Sequence, residues 1–189
     1  MKDIRLDKRK GLPEALRVLL EEYPRENWEN NRGFNGLIKF WLERHMMFRQ
    51  LLDSMVNDTQ AVLDKKMEQE RYAARFTRYG GMFVGELHGH HNIEDHHYFP
   101  ILKTYDPRLE RGFEILDKDH HVLDHNLDRF TKDANAMLQL IAGKKNARNK
   151  IGAMEPRLVE LNKFLDRHLV DEEEIIVPVI LKYGAGGLS

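Results

Sequence analysis

Cysteine is absent from the 189 residues, which excludes disulfides, thiolate nucleophiles and cysteine-ligated iron–sulfur clusters. Proline is scarce, at six, and the alternation of β-branched residues that marks strands is nearly absent, so the periods are helical. No stretch approaches the roughly 20 apolar residues of a membrane span. The opening MKDIRLDKRKG carries no apolar core of a secretion signal. Neither sign of charge dominates, with 30 basic and 31 acidic residues interspersed for a net charge of −1. That leaves no basic stripe for nucleic acid and no polybasic tail for a membrane surface. The expectation is a soluble, cytoplasmic protein without nucleic-acid or membrane partners, long enough for one domain with a real core.

Histidine, by contrast, is plentiful, at ten, and two of these residues start the same local pattern, His-x3-Glu-x5-Pro. It reads His90, Glu94, Pro100 and then His168, Glu172, Pro178, each time amid an apolar stretch. A helix turns about 100° per residue, so positions i and i+4 share a face. An imidazole above a carboxylate on one face, repeated on a second helix, is how a bundle holds a transition metal in its core.

The apolar periods predict a short amphipathic segment over about 12–22 and four long helices, over about 32–63, 66–104, 107–142 and 147–182. Gly80-Gly81 and Gly85 are candidates to loosen or kink the second. The fold class is therefore all-α: an up-down-up-down four-helix bundle over 32–183, with a short helical N-terminal extension (1–31) and a flexible tail (184–189). The bundle has an internally doubled look, because 45 residues separate His45 from His90 and 48 separate His120 from His168.

Helical phase sorts the histidines. His45 lies within the stripe of Phe34, Leu37, Ile38, Trp41, Phe48 and Leu52. With His90 set at 0°, Phe83, Glu94, His97 and Glu86 fall within about 40° of it, whereas His88, His91 and His96 fall off that face. On the third helix His121-x3-His125 has the spacing of a two-histidine metal motif. Yet Leu109, Phe113, Leu116, Leu123 and Leu127 cluster near His120, and His121 and His125 point away. His168 and Glu172 are bracketed by Leu161, Phe164, Ile175 and Val179. A lone inward histidine is usually a hydrogen-bonded core residue. Four with two inward carboxylates are different, because an unpaired buried carboxylate costs several kcal/mol and no inward Lys or Arg is evident.

These motifs resemble the hemerythrin-like family of HHE cation-binding domains over about residues 33–183. The resemblance implies a four-helix bundle around a non-haem di-iron centre bridged by two carboxylates. It matches His45 to the lone histidine of the first helix, His90 and Glu94 to the His-x3-Glu of the second, His120 to the third, and His168 with Glu172 to the fourth. Two departures stand out. The family's oxygen carriers have a second histidine four residues before the position of His120, where this chain has Leu116. Their last carboxylate is an Asp at +5, where phase here favours Glu172 at +4 and leaves Glu173 as a candidate. Both departures look more like the iron-repair and iron-sensing branches, although the cysteine-bearing module usual in the repair proteins is absent. His97 is the expected replacement for the missing histidine. Glu94-x-x-His97 also resembles half of a ferritin-like centre, but Ile175 stands where the second half needs its histidine.

Imidazole and carboxylate ligands suit two iron ions, and manganese or zinc also. Apolar walls of Trp41, Phe48, Phe83 and Phe164 suit a small diatomic ligand, dioxygen or nitric oxide, and Glu86 is a candidate hydrogen-bond acceptor behind the ligands. Three readings follow: binding or sensing of dioxygen, nitric oxide or iron; a di-iron redox enzyme handling peroxide or nitric oxide, or repairing iron centres; and a bundle whose metal only staples the core.

Overall fold

The computed structural model describes residues 4–34 and 36–188. The first three residues of the expected extension and the last residue of the expected tail thus lie outside the described residues. Helix α1 is Val18–Glu22, preceded by a 3-10 turn at Glu14–Leu16. The long helices are α2 (Gly36–Leu63), α3 (Gln69–Ile93), α5 (Glu110–Ala142) and α6 (Arg148–Tyr183), with the short α4 (Phe99–Tyr105) following α3. Among the described residues there is no strand, and no helix is long and apolar enough to cross a membrane. The chain is an all-helical bundle.

The ends of the helices follow from local chemistry. Lys65 and Lys144 take the left-handed conformation after α2 and α5, with φ of 59° and 51°, a conformation in which a helix stops. Asn146 accepts a hydrogen bond from the Arg148 amide through Oδ1 at 3.0 Å, capping the start of α6. Asp106 does the same for Arg108 at 3.1 Å, ahead of the 3-10 turn that leads into α5.

The glycines of α3 do not break it; the helix runs on through Gly80, Gly81 and Gly85. The break falls later. Glu94–Tyr98 forms a π-turn, closed by the Phe99 amide donating to the Glu94 carbonyl, five residues back. A π-turn accommodates one residue more than an α-turn, so everything after it lags by about one residue, or about 100°. The stripe expected to continue through His97 and Ile101 is carried instead by Tyr98, which is half-buried, and Leu102, which is fully buried. Pro100 has a part in this. It lacks the N–H that would bond the His96 carbonyl, and its ring would crowd that carbonyl in a continuous α-helix.

The chain divides into two compact units. One comprises the described residues up to Met46, His90–His121 and those from Phe164 onward. Its core contains Leu12, Leu19 and Trp28 from the N-terminal segment, Ile38 and Trp41 from α2, Phe99 and Leu102 from α4, Phe113 and Leu116 from α5, and Ile175 to Ile180 from α6. Leu188, in the glycine-rich tail, is buried in the same core. The other unit, Met47–Gly89 with Val122–Lys163, is built on Phe48, Met55, Tyr72, Phe76, Phe83, Phe130 and Met137. Within it the buried Thr59 and Tyr72 share a 3.0 Å hydrogen bond between their hydroxyls, and the buried Asp58 accepts one from Arg75 at 2.7 Å.

Candidate metal centre

All seven expected ligands fall within the first of these units, and all but His97 are buried. His45, His90, Glu94, His120, His168 and Glu172 are all buried, Glu94, His168 and Glu172 completely. They form two groups. In one, His45, His90, Glu94 and Glu172 each offer a ligand atom within 4.8 Å of the others; in the second, His91, His120 and His168 do so. Nε2 of His45 stands 3.1 Å from Nε2 of His90, and Nε2 of His120 stands 3.1 Å from Nε2 of His168. Two donors on neighbouring corners of a coordination polyhedron, each about 2.1 Å from the ion, are about 3 Å apart. Both pairs have that separation.

The two carboxylates link the groups. Glu94 directs Oε1 at His90 Nε2, at 3.0 Å, and Oε2 at His120 Nε2, at 3.5 Å. Glu172 Oε2 lies 3.7 Å from His45 Nε2 and 3.4 Å from His168 Nε2. Both oxygens of Glu94 and Oε2 of Glu172 are buried and accept no hydrogen bond. Glu172 Oε1 accepts one, at 2.9 Å, from the Trp41 indole. Buried oxygens without donors are costly, and a cation between the groups would satisfy all three. The residues present thus fit a bound metal.

Behind the nitrogens stands a second ring of acids. His45 Nδ1 meets Glu173 at 2.9 Å, His120 Nδ1 meets Asp95 at 2.6 Å, and His168 Nδ1 meets Asp119 at a longer 3.4 Å. An ionised carboxylate only accepts, so Nδ1 carries the hydrogen and Nε2 is the nitrogen that would offer its lone pair to a metal ion. Each acid is the chain neighbour of a residue in the two groups: Asp95 follows Glu94, Asp119 precedes His120, and Glu173 follows Glu172. One residue along a helix is about 100° around it, so each acid supports the histidine of the next helix.

Burial sets the protonation of the metal-free centre. It lowers His45, and takes His90 down to about 4. It raises Glu172, and takes Glu94 up to about 7. Burial would lower His168 as well, but hydrogen bonds to Asp119 and Glu172 outweigh it and lift the imidazole to about 9. The centre therefore holds protons that a metal ion must displace.

His97 is exposed and belongs to neither group. This corrects the expectation drawn from an unbroken helix, because the π-turn rotates it away by about one residue's turn. His91 takes its place as the third nitrogen of the second group, stacked on His120 with ring centroids 4.0 Å apart. Phase measured from His90 alone leaves His91 off the inward face, because it admits a single inward direction. A bundle helix faces two neighbours, however, and consecutive histidines about 100° apart can serve both. The signal was the pair His90-His91 itself. His121 and His125 are exposed, as phase requires, and Leu116 is core. Glu173 lies behind His45, leaving the inner position to Glu172. Of the expected apolar walls, Trp41 meets His90 edge-on at 6.1 Å. Phe48 and Phe83 pack on each other in the other unit, where Glu86 is half-buried, and Phe164 is half-buried. Phe99, not anticipated, stacks on His120 at 5.4 Å.

The model of one protein family, the hemerythrin HHE cation binding domain, matches residues 36–185. No curated protein and no solved structure matches the chain.

Proposed function

The chain belongs to the hemerythrin HHE cation-binding family, and on that premise we propose that it holds two iron ions and binds or senses dioxygen or nitric oxide with them. The observation that carries this reading is the sharing of Glu94 and Glu172 by two separate groups of imidazole nitrogens. Seven ligand side chains exceed what one four- to six-coordinate ion uses. His45, His90, Glu94 and Glu172 would hold one ion and His91, His120 and His168 the other, with both glutamates within reach of either group. Manganese or zinc would fit the same donors.

Iron in such a site supplies a position for a diatomic ligand and electrons to exchange with it. The protein's own groups do the rest. Asp95, Asp119 and Glu173 fix the tautomer and tilt of three imidazoles. Trp41 holds Glu172 by its one hydrogen-bonded oxygen, leaving the second free to turn inward. Phe99 and Trp41 cover His120 and His90 with apolar surface that excludes water.

The test is elemental analysis of aerobically purified protein together with its optical spectrum before and after reduction, then on addition of nitric oxide or dioxygen. Two irons per chain and a reversible spectral change are expected. One tightly held zinc, with no second site after anaerobic iron loading, would sink the reading.

A further inference from the structure

The described residues that precede α2 lie outside the matched family domain, yet they reach the centre from two sides. Arg9 is buried. Its guanidinium donates to both oxygens of Asp119, through Nη1 at 2.9 Å and through Nη2, and through Nε to Asp171 at 2.7 Å. Asp119 is the carboxylate behind His168. Arg25 donates to Glu173 Oε2 at 2.8 Å, and the other oxygen of Glu173 holds His45. One arginine thus stands behind each nitrogen group. The segment is also fastened around these contacts. The Leu12 amide donates to Asp171 at 3.2 Å, Arg167 on α6 donates to the Lys10 carbonyl at 2.7 Å, and Arg25 lies over the ring of the buried Trp28 at 4.6 Å.

We propose that this segment is a working part of the metal centre: Arg9 and Arg25 position His168 and His45 through Asp119 and Glu173, so that docking of the segment and binding of the ions strengthen each other. The inference rests on the metal-binding reading above. A carboxylate pinned by a guanidinium holds the imidazole N–H in one direction with a fixed share of charge. Removing the guanidinium frees the carboxylate to turn and leaves it buried without its cation. A bound ion in turn fixes the imidazole, which fixes the carboxylate that the arginine grips. Coupling of two binding events is reciprocal, so the ions must stabilise the docked segment by the same factor by which the segment improves their binding.

The experiment compares amide hydrogen exchange in the full-length protein with and without iron(II), and iron(II) affinity across variants. Iron(II) should slow exchange at residues 4–34, the Leu12 amide included. Arg25→Gln, at a half-exposed arginine, should weaken iron(II) binding about tenfold, the lower end of the effect of groups that orient metal ligands. Arg9→Met should do at least as much, and Arg9→Lys should restore part of the loss. Arg17→Gln is the control. Arg17, on the same segment, pairs with Glu174 of α6 at 2.8 Å rather than with an acid behind a ligand histidine, and its loss should leave affinity unchanged. If iron(II) slows exchange at residues 90–94 but not at 4–34, and Arg25→Gln binds iron(II) like the parent, the coupling is refuted while the metal centre stands. If iron(II) slows exchange at neither, both readings fall.

Discussion

At the scale of the residue, the centre turns on which of two histidines on one stretch of helix points inward. His91 is buried, stacked on His120, and 5.7 Å edge-on from His168 by ring centroids. His97 is exposed and touches the ring of Tyr98, 5.2 Å away. His91→Ala should therefore lower iron affinity by about tenfold or more, since even groups one step further from a metal have effects that large. His97→Ala should keep full occupancy and an unchanged iron spectrum. Loss of iron in His97→Ala with retention in His91→Ala would place the π-turn elsewhere. Helical phase also explains why four buried histidines were legible from sequence as inward-facing. His45, His90, His120 and His168 each sit within an apolar stripe, and helical phase alone turns them inward. The acids behind them were not legible. Asp95, Asp119 and Glu173 look like ordinary charged neighbours until the next helix is known, because their partners lie 25 to 128 residues away.

At the scale of the element, one motif occurs twice with two outcomes. His90, Glu94 and Pro100 bracket a π-turn, whereas His168, Glu172 and Pro178 lie in an unbroken α6. Sequence carried the spacing but not the backbone's response, since proline allows either and the packing of Tyr98 on Trp41, at 4.7 Å between rings, is a tertiary matter. Helix ends are more local. Asp106 is buried; besides capping the Arg108 amide, it receives the Arg108 guanidinium at 2.6 and 2.9 Å and the Tyr183 hydroxyl at 3.2 Å. The Arg108 contacts hold its carboxyl down at about 2. A depressed carboxyl contributes stability that is whole above its unfolded pKa of about 4 and is lost as pH falls through the folded value. Asp106→Ala should thus cost about 1 kcal/mol at pH 5, as the loss of a cap does, and the gap from the parent should narrow by pH 3. Urea midpoints at the two values check this. A gap that widens towards acid would mean that Asp106 is protonated in the folded protein.

At the scale of the whole molecule, the candidate ligands are confined to one of the two compact units. All seven candidate ligands and the acids behind them fall in the unit that includes His90–His121 and the end of α6, while the other is an apolar core of aromatic and aliphatic side chains. The order and approximate spans of the long helices were legible because long apolar periods determine them, as with α5 and α6, whereas the second is interrupted by the π-turn and continues as α4. The division into units was not, because each of α2, α5 and α6 runs unbroken through it. The division has an energetic consequence. Without an ion, the first unit must keep Glu94 and Glu172 buried, with Glu94 raised to about 7. A carboxyl whose folded pKa is raised costs stability as pH rises above its unfolded value of about 4, so near neutrality the metal-free centre is strained in charge. A cation that binds only the folded chain offsets this, adding about 4 kcal/mol when its free concentration is a thousand times Kd. For a chain of this size each kcal/mol moves Tm by about 2–4 °C, so stripping the iron should lower Tm by about 10 °C. The loss should be local as well as global. Amide exchange should quicken in 90–121 and 164–183 and stay nearly constant in 47–89 and 122–163. A melting temperature indifferent to chelation, or faster exchange mainly in the apolar unit, would show that the ions do not hold the fold together at Glu94 and Glu172.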